Sequence, residues 1–280
     1  MNRFIKGNSK LIVALCAFIL LIAVVLVCAL NYDSFKQMAE ASSQVNKTTE
    51  TESKETTVKA SKPQKAESTT EENLYTNSDV FPDEIRSLLE KNKDYLNSLI
   101  KNECQQLIVV NTEGKNAVVS YYSFADKAWV KNNALTTSAF IGINGSSSDK
   151  KEGDGCTPLG LYKINSAFYI NEKPQTKLDA FQITEDSYWV DDVNSAYYNQ
   201  YVTDVDKKDW NSAEHMIDYN GYKYGFVVDY NPSCVPDMGS AIFFHIGYNP
   251  TAGCIATNEE MILKYLSALD KDKNPFVLIV

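Results

Sequence analysis

Apolar and polar residues along the chain fall into four regimes. Residues 11–30 form an unbroken apolar run, long enough to cross a bilayer core as a helix. From about residue 31 to 75 the pattern is lost: serine, threonine, glutamate, lysine and small residues dominate, aromatic and large aliphatic side chains are scarce, and such a segment cannot bury enough surface to fold. Between residues 76 and 103, Ile85, Leu88, Leu89, Tyr95, Leu96, Leu99 and Ile100 recur at helical spacing, which predicts a helical lead-in. After that the period changes. Residues 106–110, 117–124, 139–142, 161–165, 224–230, 241–245 and 276–280 read as strands, with turn signals at Glu113-Gly114 and Asn132-Asn133. A Thr-x-x-Glu capping box at Thr257 and Glu260 predicts one more helix, with Met261, Ile262, Tyr265, Leu266 and Leu269 on its apolar face. No internal repeat or regular strand-helix alternation is present, so residues 104–280 are expected to form a mainly β domain with peripheral helices.

Charge places the ends of this layout. Arg3, Lys6 and Lys10 precede the apolar run and Asp33 follows it, so residues 1–10 are expected in the cytoplasm, 11–30 as a transmembrane anchor, and the bulk outside the cell. Signal cleavage near Ala39-Glu40-Ala41 is the competing expectation, and the length of the run favours the anchor. A flexible spacer of about 40 residues would reach roughly 35 Å on average, enough to hold a domain off the membrane. The net charge of −9 argues against nucleic acid as a partner, because that binding needs a basic footprint.

Candidate chemistry gathers near the carboxyl end. Phe243-Phe244-His245 is followed nine positions after the histidine by Cys254, in Pro250-Thr251-Ala252-Gly253-Cys254-Ile255. A free thiol is only a few per cent ionised at neutral pH, and imidazole is a base suited to activate it. Cys254 is therefore the candidate nucleophile and His245 the candidate base. Gly253 can adopt backbone angles closed to other residues, so the amides of Gly253 and Cys254 are candidates to meet an oxyanion, which makes acyl transfer the natural reaction class. The plain alternative is a buried cysteine near a core histidine. Cys104, Cys156 and Cys234 are left over; Cys156 with Cys234 is the pairing to test, against three reduced thiols. Neither these cysteines nor His215 and His245 show zinc spacing, and no metal or organic cofactor is expected.

These residues resemble the L,D-transpeptidase catalytic family (the YkuD type), in the branch where Gly-Ser-Ala-Ile-Phe-Phe-His is followed by Pro-Thr-Ala-Gly-Cys-Ile-Ala. The likeness extends upstream to Gly142-Ile143-Asn144-Gly145, to Gly153-Asp154-Gly155-Cys156-Thr157-Pro158-Leu159-Gly160, and to Trp189-Val190-Asp191-Asp192 with Tyr197-Tyr198-Asn199. It implies a sandwich-like fold, a cysteine-dependent activity on peptidoglycan peptide stems, and acylation by carbapenems. By the same resemblance Trp189, Asp192, Tyr198 and Asn199 are candidates for substrate contact, although aromatic residues on strands are usually core. Glu214 fits the family segment better than His215, which is taken as structural. Ala252 and Ala256 stand where better-known members carry histidine and arginine. The catalytic region has no arginine, since only Arg3 and Arg86 occur, and that removes a sortase-like reading. L,D-carboxypeptidation and non-catalytic wall binding stay open beside transpeptidation.

Overall fold

The computed structural model describes residues 81–280; the expected anchor and spacer lie outside them. No helix among the described residues is long and apolar enough to cross a membrane. The lead-in is two short helices, α1 (Asp83–Lys91) and α2 (Lys93–Lys101), parted at Asn92, a residue type that favours helix ends over interiors.

The rest is mainly β. The strands are β1 (Gln106–Glu113), β2 (Asn116–Ala125), β3 (Ala128–Phe140), β4 (Ser146–Ser147), β5 (Thr157–Pro158), β6 (Gly160–Tyr169), β7 (Ala180–Gln182), β8 (Tyr188–Val190), β9 (Tyr201–Val202), β10 (Ala213–His215), β11 (Tyr224–Val228), β12 (Phe243–Ile246), β13 (Ile255–Thr257) and β14 (Pro275–Ile279). The main ladder runs β11-β12-β13-β3-β2-β1-β14-β6-β7. Its ends meet, because β6 pairs with β14 at residues 160–163 and with β11 from Ile164 onward.

One face of this wrapped ladder carries Ile108, Val119, Ile141, Phe226, Phe244, Ile255 and Val277, and it closes on helix α3 (Glu259–Ala268) through Ile262, Tyr265 and Leu266, all fully buried. The alternate residues Leu107, Val109, Tyr122, Phe276 and Leu278 point the other way and pack beneath Ile85, Leu89 and Leu99 of the lead-in helices. Period-two alternation thus gives one set of strands two cores.

Two turn assignments move. The β2–β3 hairpin turns at Asp126 and Lys127, both at positive φ (50° and 66°), whereas Asn132-Asn133 lies inside β3. There the register against β2 jumps, Val119 facing Thr137 and Tyr121 facing Asn132, so the polar pair marks a bulge. Helix α3 is capped by Asn258, whose side chain accepts from the Met261 amide at 3.0 Å. Thr257 instead donates from Oγ1 to the Ser138 carbonyl at 2.9 Å, tying β13 to β3.

β12 and β13 are parallel neighbours, with Phe244 opposite Ile255 and His245 opposite Ala256, and only residues 247–254 join them. Parallel pairs usually need a crossover of about a dozen residues or more. This short return is held from outside: the Thr251 amide donates to Ile141 O and the Ile143 amide to Thr251 O.

Candidate active site

Alternation along β12 sends Phe244 and Ile246 into the α3 core and turns Phe243 and His245 to the opposite face. Cys254, one residue before β13, lies on that face with Phe243, Tyr222 and Met216. His245 and Cys254 both line a cleft of about 410 Å³, together with Glu214, His215, Tyr219, Tyr222 and Thr251. The two residues singled out from the sequence are therefore brought to one cleft.

The cysteine loop is fixed by the segment that carries Thr157. Its hydroxyl donates to Gly253 O at 2.7 Å and accepts from the Gly142 amide at 2.9 Å. A Cβ on Gly253 would lie 2.9 Å from Cys156 O and 3.3 Å from Ile242 Cδ1, so only glycine fits. Thr251 Oγ1 closes the loop by donating to Cys254 O at 2.6 Å and accepting from the Gly253 amide at 3.1 Å. Of the two amides expected to face an oxyanion, that of Gly253 is thus spent inside the loop.

The imidazole is oriented by its own strand. His245 Nδ1 lies 2.8 Å from Ile246 O; a carbonyl only accepts, so Nδ1 carries the hydrogen and Nε2 the basic lone pair. Tyr219 and Tyr222 meet the ring edge-on, with centroids 5.5 and 5.2 Å away. Burial pulls its pKa down to about 4, against the raising effect of the Ile246 carbonyl, so the ring is neutral at physiological pH.

Cys254 is buried, and its Sγ donates to Ala241 O at 3.2 Å and accepts from the Phe243 amide at 3.3 Å. Burial pushes the thiol well above its ordinary pKa; the Glu214 carboxylate adds to that, while the Phe243 amide, Lys150 and the Tyr222 hydroxyl oppose it. The resting pair is therefore thiol and neutral imidazole, and among the described residues no hydrogen bond joins the two. The carbonyl that holds the thiol belongs to Ala241 at φ +53°, a left-handed conformation that alanine rarely adopts, pinned by its amide donating to Asn199 Oδ1 at 3.1 Å.

The substrate-contact candidates line neither this cleft nor a second cavity of about 170 Å³ that Cys254 also lines. Asn199 braces the site, with Nδ2 donating to Tyr230 O and Asn231 O at 3.0 and 2.9 Å and Oδ1 accepting from Trp189 Nε1 at 3.0 Å. Trp189 packs edge-on against Phe243 at 4.9 Å. Tyr198 is buried, donates to Glu152 Oε2 at 2.5 Å and accepts from the Gly239 amide at 3.0 Å. Asp192 collects the amides of Asn194 and Asn211 at 2.9 and 2.8 Å and so organises its own loop.

His215 lies at the cleft wall, with Nε2 at 2.7 Å from Glu185 O and Nδ1 at 2.8 Å from Asp218 Oδ2, contacts that raise its pKa. Residues not singled out as site residues complete the wall. Glu214 on β10 accepts from the Tyr222 hydroxyl, and burial pushes its carboxyl up to about 7 against the lowering effect of that bond, helped by the charges of Asp191 and Glu152. Nothing local to Tyr219 or Tyr222 separates them from the chain's other tyrosines. The four described cysteines are all free, so the Cys156–Cys234 pairing is not formed. Among the described residues no group of three His, Cys, Asp or Glu side chains is set to hold a metal ion.

The profile of the YkuD L,D-transpeptidase catalytic domain matches residues 105–278. Among solved structures, similarity is found to the helical cell shape determining protein Pgp2 from Campylobacter jejuni, at 18% identity and TM-score 0.34, covering 62% of this chain and 47% of that one. A lysine-to-alanine variant of Pgp2 matches at 16% identity and TM-score 0.33, covering 74% of this chain and 55% of that one. The chain thus spans about half the length of the solved structures it matches. No curated protein sequence gives a significant match.

Proposed function

The chain belongs to the YkuD family of L,D-transpeptidase catalytic domains, whose profile spans more than half of it, and from that membership we propose that it is a cysteine-dependent peptidoglycan L,D-transpeptidase forming 3-3 cross-links. The observation that carries the reading is the shared cleft of Cys254 and His245, with the imidazole held by Ile246 O so that its basic nitrogen is free of the backbone.

In this reaction the Cys254 sulfur attacks the carbonyl that joins the L-centre of the third stem residue to the terminal D-alanine, while His245 Nε2 takes the thiol proton. The high pKa of the buried thiol favours proton transfer together with attack over a standing thiolate. The backbone amide of Cys254 serves the oxyanion. Collapse breaks the C–N bond, His245 returns its proton to the leaving D-alanine amine, and a thioester remains. An acceptor amine from a neighbouring stem attacks that thioester, loses a proton to His245, and the C–S bond breaks with the proton passed back to sulfur. The product joins two third-position residues. Membrane anchoring through residues 11–30 would keep the domain at the wall, in a role in wall biogenesis and cell shape.

Mass spectrometry of the full chain after carbapenem treatment tests the nucleophile: one covalent adduct is expected on wild type and none on Cys254→Ala. Absence of the wild-type adduct would leave a wall-binding module. Incubation with tetrapeptide, without and with an acceptor stem, then assigns the reaction, since cross-linked dimer means transfer and free tripeptide without dimer means L,D-carboxypeptidation.

A further inference from the structure

Three side chains meet at one hydroxyl. Tyr222, on the short 3-10 helix Asn220–Lys223 that runs into β11, donates its hydroxyl hydrogen to Glu214 Oε2. The same hydroxyl acts on the Cys254 sulfur, where it opposes the rise of the thiol's pKa. Tyr222 and Cys254 share one buried cluster, and Glu214 lines both cavities that border Cys254. A phenol has a single hydrogen to give, so Glu214 and Cys254 compete for it.

The winner depends on the state of the carboxyl. An ionised Glu214 only accepts, so it keeps the Tyr222 hydrogen and stands as a negative charge beside the sulfur. A neutral Glu214 is itself a donor: its proton goes to the Tyr222 oxygen, and the phenolic hydrogen turns to the sulfur. Attack on a substrate carbonyl builds negative charge on sulfur and then on the former carbonyl oxygen, so the ionised carboxyl opposes both stages and the neutral one opposes neither. The effect falls on the sulfur and not on the base, since the pKa of His245 is set by burial and the Ile246 carbonyl.

The surroundings of Glu214 let it change state. Burial and the charges of Asp191 and Glu152 raise its pKa, the Tyr222 bond lowers it, and the balance stands at about 7. Lys150, the one cation lining the smaller cavity, is committed elsewhere, with Nζ at 2.6 Å from Asp154 Oδ1 and 2.8 Å from Lys151 O. Glu152 accepts from the Tyr198 hydroxyl and the Gly153 amide. On the other side Tyr219, His245 and His215 share the larger cleft, and His215 is held by Glu185 O and Asp218.

We propose that Glu214 is a positioning residue that gates the nucleophile: protonated, it turns the Tyr222 hydroxyl onto the Cys254 sulfur, and ionised, it withdraws that hydroxyl and repels the charge forming there. The proposal rests on the L,D-transpeptidase reading of the site and deepens it, adding an alkaline limit to a site whose acid limit belongs to His245. A group that promotes the reaction in its protonated form does so below its pKa, so acylation is fast under about pH 7 and is lost as pH rises through that value.

The rate of adduct formation between the full chain and a carbapenem that carries no titratable amine, followed by mass spectrometry from about pH 5.5 to about 9, tests the gate. On wild type the rate is expected to fall about tenfold as pH rises through 7, the factor that a one-unit rise in the thiol's pKa brings. Glu214→Gln keeps an acceptor for the Tyr222 hydroxyl but cannot ionise, so its rate should not fall over that range. Tyr222→Phe should slow acylation below pH 7 and carry the fall to higher pH, because the bond that lowers the Glu214 carboxyl is gone. A wild-type rate that stays level or rises across pH 7 overturns the gate, and so does an equal fall in wild type and Glu214→Gln. Melting curves over the same range report folding, and should a variant not fold, the wild-type profile alone decides. Failure of the gate leaves an adduct on Cys254 at every pH, whereas no adduct at any pH overturns the enzymatic reading and the gate with it.

Discussion

At the scale of single residues, the chemistry is set by how deeply two side chains are buried. His245 is neutral down to about pH 4 because its cavity penalises the imidazolium, and the Ile246 carbonyl compensates only in part. For a base that must be unprotonated, this sign means that activity is lost only as pH falls through the depressed value. The acid limb of kcat/KM for acylation is therefore expected near pH 4, where an ordinary histidine would place it near 6.5; a profile of D-alanine release against pH checks it. His245→Ala should lower the acylation rate by about 10² to 10⁴. Cys254, His245 and Gly253 were legible in the sequence because they sit within ten positions of one another in a motif. Glu214 and Asp191 were marked only by their place in segments that resemble the family, without a role, and Lys150 was not marked at all, since nothing local distinguishes it from other charged residues. Asp192, chosen for its place in the motif, gives its oxygens to loop amides, while its neighbour Asp191 lines the smaller, 170 Å³ cavity beside Cys254. A single step along the chain reverses which way a side chain points.

At the scale of elements, patterns of apolar residues located most strands, and the turns were missed where their signal was weak. Asn132-Asn133 has the composition of a turn, yet Trp129 and Leu135 on either side are buried, and that burial keeps β3 running past the bulge. Asp126-Lys127 lacks glycine but accepts positive φ at both positions. The α3 cap shifted by one residue because Thr257 is drawn into the ladder by Ser138 O, leaving Asn258 to meet the helix amides. Asn258→Ala is expected to lower stability by about 1 kcal/mol, read as a shift in thermal midpoint, with Asn258→Asp close to neutral. Because Ile262, Tyr265 and Leu266 fill the core that backs β12, loosening the start of α3 should also blunt the site, and adduct formation by the variant would slow in step with its stability loss.

At the scale of the whole molecule, the described domain carries no clue to its location, and the proposal that the chain is tethered rests on residues 11–30 and the charges around them. Full-length protein expressed in bacteria is expected in the membrane fraction and to resist alkaline carbonate extraction, whereas residues 81–280 alone should stay in the supernatant. Release of the full chain by carbonate, or a mature amino terminus just beyond Ala41, would favour secretion after cleavage.

The depth of Cys254 has one more consequence, for survival in aerated surroundings. Oxidation and alkylation both proceed through the exposed thiolate, and this sulfur is buried, protonated at rest and held between Ala241 O and the Phe243 amide. Cys156 and Cys234, half-buried on nearby loops, meet any oxidant first. A timed iodoacetamide reaction followed by peptide mapping should modify those two well before Cys254, with carbapenem reactivity outlasting their loss. The same burial that makes the nucleophile slow to ionise spares it from peroxide, so the protein would need no reductant to stay competent.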